Sequence, residues 1–128
     1  MKPLPTDAEL QILQVLWKSA PLTVREVHER LGTSSGYTTV LKTMQIMAEK
    51  GLVSRDESNR SHLYRPAVQA APTEKRLVSE LVEKAFDGSA ARLAMRALST
   101  GRASREELAE VRRLLEALED EEDEEGEP

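Results

Sequence analysis

Between Gly32 and Gly36 the chain reads GTSSG, and YTTVLKTMQIMAEKGLV follows from Tyr37 to Val53. Two chemistries use such a stretch. G-x-S-x-G is the pattern of a serine nucleophile on a tight strand-to-helix turn, with a histidine and an acid elsewhere in the chain. Small hydroxyl residues at the start of a helix also suit anion binding, because the first turn offers N–H groups and the positive end of the helix dipole. The nucleophile needs a strand before Gly32, but TVREVHERL has helical spacing. His62 is the only later histidine, and it falls in a predicted hairpin. No alternation of strands and helices supplies a parallel sheet. No catalytic residue is therefore expected, and the chain is not read as an enzyme. Cysteine is absent, which removes disulfides and thiolate metal sites. No pair of histidines and acids has metal-ligand spacing, so neither metal nor cofactor is expected.

Reading of double-stranded DNA fits the same residues better. Recognition helices present their N-terminal residues to base edges. Thr38 and Thr39 suit that role, since a threonine methyl can touch a thymine methyl while the hydroxyl hydrogen-bonds. Ser35 adds a hydroxyl just before the helix. Lys42 and Gln45 fall on the side of Thr38, at i+4 and i+7. Tyr37 either hydrogen-bonds a phosphate or braces the start of the helix. Ser34 or Ser35 could equally act as a plain helix cap. Arg55, Arg60 and His62 flank the hairpin as candidate backbone contacts, or they are charges that protect an exposed strand edge. His28 reads as a surface residue, and Trp17 and Tyr64 as core.

These residues need a scaffold. Thr6 with Glu9 and Thr23 with Glu26 form capping boxes that open two helices. The first has Leu10, Leu13 and Trp17 at i, i+3, i+7 and runs over about 7–19. The second buries Val24, Val27 and Leu31 and stops at Gly32. The third spans about 36–50, with Val40, Met44 and Met47 on its buried stripe and Gly51 as its stop. LVSR and SHLYR are short β-prone runs separated by the polar turn DESNR. Three helices and a ribbon predict a winged helix-turn-helix over residues 1–70. QAAP reads as a linker. Thr73 is expected to cap a fourth helix, Ser89 a fifth, and Ser104 with Glu107 a sixth that ends near Leu118. The fold class is mainly α with a small β-wing.

Charge divides the chain. Residues 1–70 hold 9 Lys/Arg against 7 Asp/Glu, net +2; residues 71–128 hold 9 against 16, net −7, which together give −5. The first half can meet a polyanion and the second cannot. The acidic segment 119–128 is expected to be a disordered tail. No run of about 18 apolar residues predicts a membrane span, and the first residues lack a signal-peptide pattern, so a cytoplasmic protein is expected.

The second half carries apolar residues at helical spacing: Leu77, Leu81, Val82 and Phe86, then Leu93, then Leu108, Val111 and Leu115. Three such helices have little to bury against beyond the winged helix itself. Residues 71–118 therefore predict a three-helix dimerisation region, and a two-fold dimer would match a palindromic DNA site. Folding back on the winged helix is the alternative.

TDAELQILQVLW, PLTVREVHERL, YTTVLKTMQIMAEKGLV and HLYRP occur in this order, followed by AFDGSAARLAMRAL and SREELAEVRRLL. In these segments the chain resembles the penicillinase-repressor family of bacterial transcriptional regulators. The resemblance implies a homodimeric repressor on inverted-repeat operators. It also raises a membrane sensor protease as a candidate partner, since the β-lactam branch is inactivated by cleavage of an Asn-Phe bond in the fifth helix. Three departures stand out. Arg96-Ala97 occupies the position of that bond. The cysteine motif of the copper-responsive branch is absent. Leu41 and Ile46 stand where other members often carry arginine. A winged-helix protein-interaction module, with the acidic tail recruiting a basic partner, is the competing function.

Overall fold

The computed structural model describes residues 2–32 and 34–126. Thr33 of the GTSSG stretch, Met1, and Glu127 and Pro128 at the end of the acidic segment lie outside the described residues. Six helices and two strands occur among them: α1 Asp7–Ser19, α2 Val24–Leu31, α3 Tyr37–Lys50, β1 Val53–Asp56, β2 Leu63–Pro66, α4 Ala70–Ala85, α5 Ala90–Leu98 and α6 Arg105–Gly126. The chain divides into two compact units, 1–81 and 82–128, and the division falls inside α4.

Local chemistry sets the helix starts. Thr6 Oγ1 accepts from the Glu9 N–H while Glu9 Oε1 accepts from the Thr6 N–H, and Thr23 and Glu26 repeat the arrangement. Each box satisfies N–H groups that a helix leaves unpaired at its N-terminus. α2 ends at Gly32 and α3 at Gly51, both left-handed, at φ 58° and 81°. Glycine adopts that conformation without a Cβ penalty.

In the first unit, α1, α2 and α3 close around Leu13, Leu16, Val27, Met44 and Met47. Leu52, Val53 and Tyr64 from the β-ribbon complete this core. β1 and β2 pair antiparallel, with Val53 opposite Pro66 and Arg55 opposite Tyr64. Leu22, between α1 and α2, pairs with Tyr64 through two backbone hydrogen bonds of 3.2 and 2.8 Å, adding a third short edge to the ribbon. Trp17 donates its indole N–H to the Val68 carbonyl at 2.9 Å. Trp17 and Tyr64 thus serve packing, as their sequence context predicts.

In the second unit, α5 opens with Ser89 Oγ accepting from the Arg92 N–H, and Ser104 and Glu107 form the third capping box before α6. Gly88, at φ 77°, donates its N–H to the Val82 carbonyl and closes the end of α4. No helix among the described residues is long and apolar enough to cross a membrane.

Two segments differ from the sequence expectation. α4 begins at Ala70 instead of at a Thr73 cap. Pro72 is compatible with a first helical turn because its missing N–H would have no helical partner there. Thr73 is buried inside the helix and its Oγ1 donates to the Gln69 carbonyl at 2.7 Å. α6 continues through Gly126, so residues 119–126 are helical where a disordered tail is expected. Adding residues to an existing helix avoids the cost of nucleation, and glutamate is a good helix former.

Glu9 ties two helices together. It is 3% exposed, and besides closing the α1 cap it accepts from Lys50 Nζ, in the last turn of α3, at 2.8 Å. Burial pushes its carboxyl up, but hydrogen bonds from Lys50 and the Thr6 N–H, with the Lys50 charge, outweigh burial and leave it below the usual carboxylate range. A carboxylate whose folded pKa lies below its unfolded value contributes stability above that unfolded value and loses it as pH falls through the folded pKa. Glu9→Gln keeps the cap geometry and removes the charge. It should cost about 1–2 kcal/mol at pH 7, and the deficit should shrink as pH falls below the ordinary glutamate value of 4.5. Urea titrations at pH 7 and pH 3.5 test this; a deficit that does not change with pH would exclude the ion pair as its source.

Candidate nucleic-acid interface

α3 turns three core residues inward, Val40, Met44 and Met47, and leaves the opposite face open. Thr38, Thr39, Lys42, Gln45 and Ile46 are exposed on that face. The N-cap is Gly36, with no side-chain cap. The N-cap position therefore falls to neither Ser34 nor Ser35. The N-cap glycine of α3 brings no side-chain oxygen to the first turn, where Thr6 and Thr23 do so for α1 and α2. Thr39 also accepts at its carbonyl from Thr43 Oγ1, at 2.9 Å.

A groove runs beside this face. It is lined by Thr23, Val24 and Arg25 from the start of α2, by Tyr37, Leu41 and Gln45 of α3, and by Arg55, Arg60, Ser61, His62 and Tyr64 of the ribbon. Five of the nine candidate residues, Tyr37, Gln45, Arg55, Arg60 and His62, therefore line one cleft. Thr38, Thr39 and Lys42 stand on the outer surface of α3, outside the groove. Ser35 lies before α3, where its carbonyl accepts from His28 Nε2 at 2.9 Å.

The ribbon wall is partly braced. Arg55 bonds Glu57 Oε1 at 2.7 Å. A hydrogen bond with the Tyr64 side chain, then the Glu57 carboxylate, strengthens the hold on its proton. Asp56 Oδ1 accepts from the Ser58 N–H at 2.9 Å, shaping the turn. Hydrogen bonds from Ser58 hold the Asp56 carboxyl below its usual range.

Arg25 is the groove residue that the sequence does not single out. Its signal is weak: a single cation at the second position of a short helix, ahead of α3. In the fold its guanidinium carbon lies 5.5 Å from the Tyr37 ring centroid. His28 meets the same ring edge-on, 6.3 Å between centroids at 89°.

The GTSSG stretch follows α2, a helix, so the strand-turn-helix frame of a nucleophile elbow is not what surrounds it. Among the described residues, no group of three or more His, Cys, Asp or Glu side chains is arranged to hold a metal ion.

A family model described as Penicillinase repressor matches residues 5–117. The chain is similar to the Transcriptional regulator BlaI of two Mycobacterium tuberculosis strains, at 40% identity over 63 residues, covering 47% of this chain and 46% of each relative. It thus spans about half the length of these curated relatives. The Penicillinase repressor of Bacillus licheniformis is 25% identical over 122 residues, covering 91% of this chain and 94% of that one. Among solved structures, the solution structure of the DNA binding domain of the repressor BlaI matches with a TM-score of 0.48 and 26% identity, over 54% of this chain and 89% of that one. The Bacillus licheniformis BlaI monomeric form in complex with the blaP half-operator matches with a TM-score of 0.46 and 27% identity, over 56% and 92%.

The open face of α3 makes a direct prediction. Lys42→Ala should weaken binding to duplexes of any sequence and lower the slope of log affinity against log salt by about 1 for each copy of the chain bound. Thr39→Ala should cost roughly 1–3 kcal/mol at one base step and leave the slope alone. Filter-binding titrations over several salt concentrations separate the two; if both variants bind like the parent, this face does not read DNA.

Proposed function

The chain belongs to the penicillinase repressor family, and from that premise we propose that it is a dimeric, sequence-specific DNA-binding transcriptional repressor acting on an inverted-repeat operator. The observation that carries the reading is the open α3 face: hydroxyls in a first turn that opens on a glycine N-cap, a lysine and a glutamine beyond, and a basic groove alongside. Its relatives' names, penicillinase repressor and transcriptional regulator, support the same function. In this reading residues 1–70 are the reading head, held to base edges by Thr38 and Thr39 and to the backbone by Lys42, Arg60 and His62. The protein works in the cytoplasm, where its DNA is.

The dimer is supported by apolar surface. Leu81, Met95, Leu98, Leu108, Leu114, Leu115 and Leu118 are all exposed in the single chain. Exposed apolar surface on this scale marks an interaction site. Leu77, Phe86, Leu93 and Val111 are half-buried. Val82 is 8% exposed, so it is covered within the chain already. Pairing through residues 71–118 holds two reading heads on one operator and gives the second head a high effective concentration. The acidic end of α6 is too negative to lie on DNA.

Derepression by a membrane sensor protease is part of the family's chemistry, but this chain alters the bond. Arg96-Ala97 lies in α5. A pocket shaped for a large aromatic after the cut would stay largely empty around the Ala97 methyl, forfeiting about 2–3 kcal/mol. The helix must also open before a protease reaches the bond. A sensor of different specificity, or another signal, controls this repressor. Mass spectrometry after incubation with a protease that cuts Asn-Phe should find the chain intact; a fragment ending at Arg96 would overturn this.

The function is tested by gel shifts with the gene's own upstream region against random duplex. Leu115, 51% exposed, can be changed without disturbing a core. Leu115→Glu should give a folded monomer whose operator affinity is about 100-fold lower. A parent that sediments as a monomer at tens of micromolar, or that prefers no sequence, would refute the proposal.

A further inference from the structure

Arg25 lies in α2, outside the open face of α3, yet the fold prepares it for a ligand. The Thr23 capping box fixes it at the second position of α2. Its guanidinium sits over the Tyr37 ring, 5.5 Å from the centroid. That ring is also held edge-on by His28, whose Nε2 reaches the Ser35 carbonyl at 2.9 Å. A guanidinium over an aromatic face uses its own face for the contact, so its N–H edges stay available as donors. Holding a long side chain in this way also lowers the entropy lost when it grips something.

The surroundings say what that is. Arg25 lines the same groove as Arg60 and His62, together with Tyr37 and Gln45. The ion pairs found among the described residues use Lys50 and Arg55, not Arg25 or Arg60. Cations from two separate elements along one open groove, one of them a planar fork held over an aromatic ring, match a chain of phosphodiesters better than a single small anion. Phosphate oxygens are what a guanidinium fork binds two at a time.

We propose that the groove lined by the start of α2, α3 and the ribbon holds the sugar-phosphate backbone of one DNA strand, with Arg25, held over Tyr37, gripping a phosphate in the same groove as Arg60. Arg25 is then a positioning residue that sets how deeply α3 sits in the major groove. The inference rests on the DNA-binding function proposed above.

The full-length protein and its variants Arg25→Ala, Arg25→Lys and Tyr37→Leu are titrated by filter binding with the gene's own upstream duplex and with a random duplex, from 50 to 200 mM salt. Circular dichroism melts confirm that each variant is folded. Each dimer carries two copies of Arg25, so Arg25→Ala should lower the salt slope by about 1.8 on both duplexes, and its affinity deficit shrinks by about 12-fold across that range. Arg25→Lys should restore the slope but bind several-fold more weakly than the parent, because an ammonium neither stacks nor forks. Tyr37→Leu should keep the slope and weaken binding. Arg25→Ala at the parental slope, or Arg25→Lys at the Arg25→Ala slope, overturns the phosphate contact, whatever the affinity. Tyr37→Leu at parental affinity overturns the stacking. Failure of the parent to bind either duplex defeats the DNA-binding function instead, and the same titration shows it.

Discussion

Leu22 and Tyr64 exchange a pair of backbone hydrogen bonds, and the position of the ribbon depends on that exchange. A two-stranded hairpin is marginal alone. Here β2 gains a partner on its far side, from the turn between α1 and α2. Tyr64 is buried at this junction, and its side chain reaches Arg55 on the strand opposite. One residue therefore fixes the ribbon to the helices, fills the core and braces the groove wall. Without that anchor Arg60 and His62 would have no defined distance from α3, and the groove would not exist as a shape.

The second constraint is the two-ended hold on α3. Its last turn is tied to the first turn of α1 through Lys50 and Glu9. Its first residue, Tyr37, is pinned by Arg25 and His28. Between these ends the inward stripe is packed and the outward face makes no demands on the fold. That division of labour lets the outer residues vary in chemistry without cost to stability. Ile46, 47% exposed on the open face, is such a residue: nothing in the core requires it.

The sequence made local features legible. Capping boxes, glycine stops and the Val40, Met44, Met47 stripe each depend on residues a few positions apart, so pattern and structure agree there. What it hid was contact between distant segments. Leu22 with Tyr64, Glu9 with Lys50 and Arg25 with Tyr37 leave no periodic trace. Pro72 misled for a different reason, because proline looks like a break wherever it stands but is harmless in a first turn. The acidic end of α6 misled because its composition resembles a disordered chain, while its attachment to a formed helix is invisible to composition. Of the candidate site, the residues on α3 and the ribbon were readable; the α2 wall was not.

Trp17 is the only tryptophan, and the two tyrosines, Tyr37 and Tyr64, lie with it in the first unit. Residues 82–128 contain neither type. The molecule is thus optically divided: tryptophan and tyrosine absorbance and indole emission come entirely from the first unit, and the second adds only the weak band of Phe86. The indole N–H is bonded to the Val68 carbonyl, just ahead of α4. Emission from Trp17 consequently registers whether the lead-in to α4 is docked on the helices before it, while far-ultraviolet dichroism counts the helices of both units. Melting followed by the two signals would part company if the second unit opens first, giving the chain an unlabelled means of telling which half lets go.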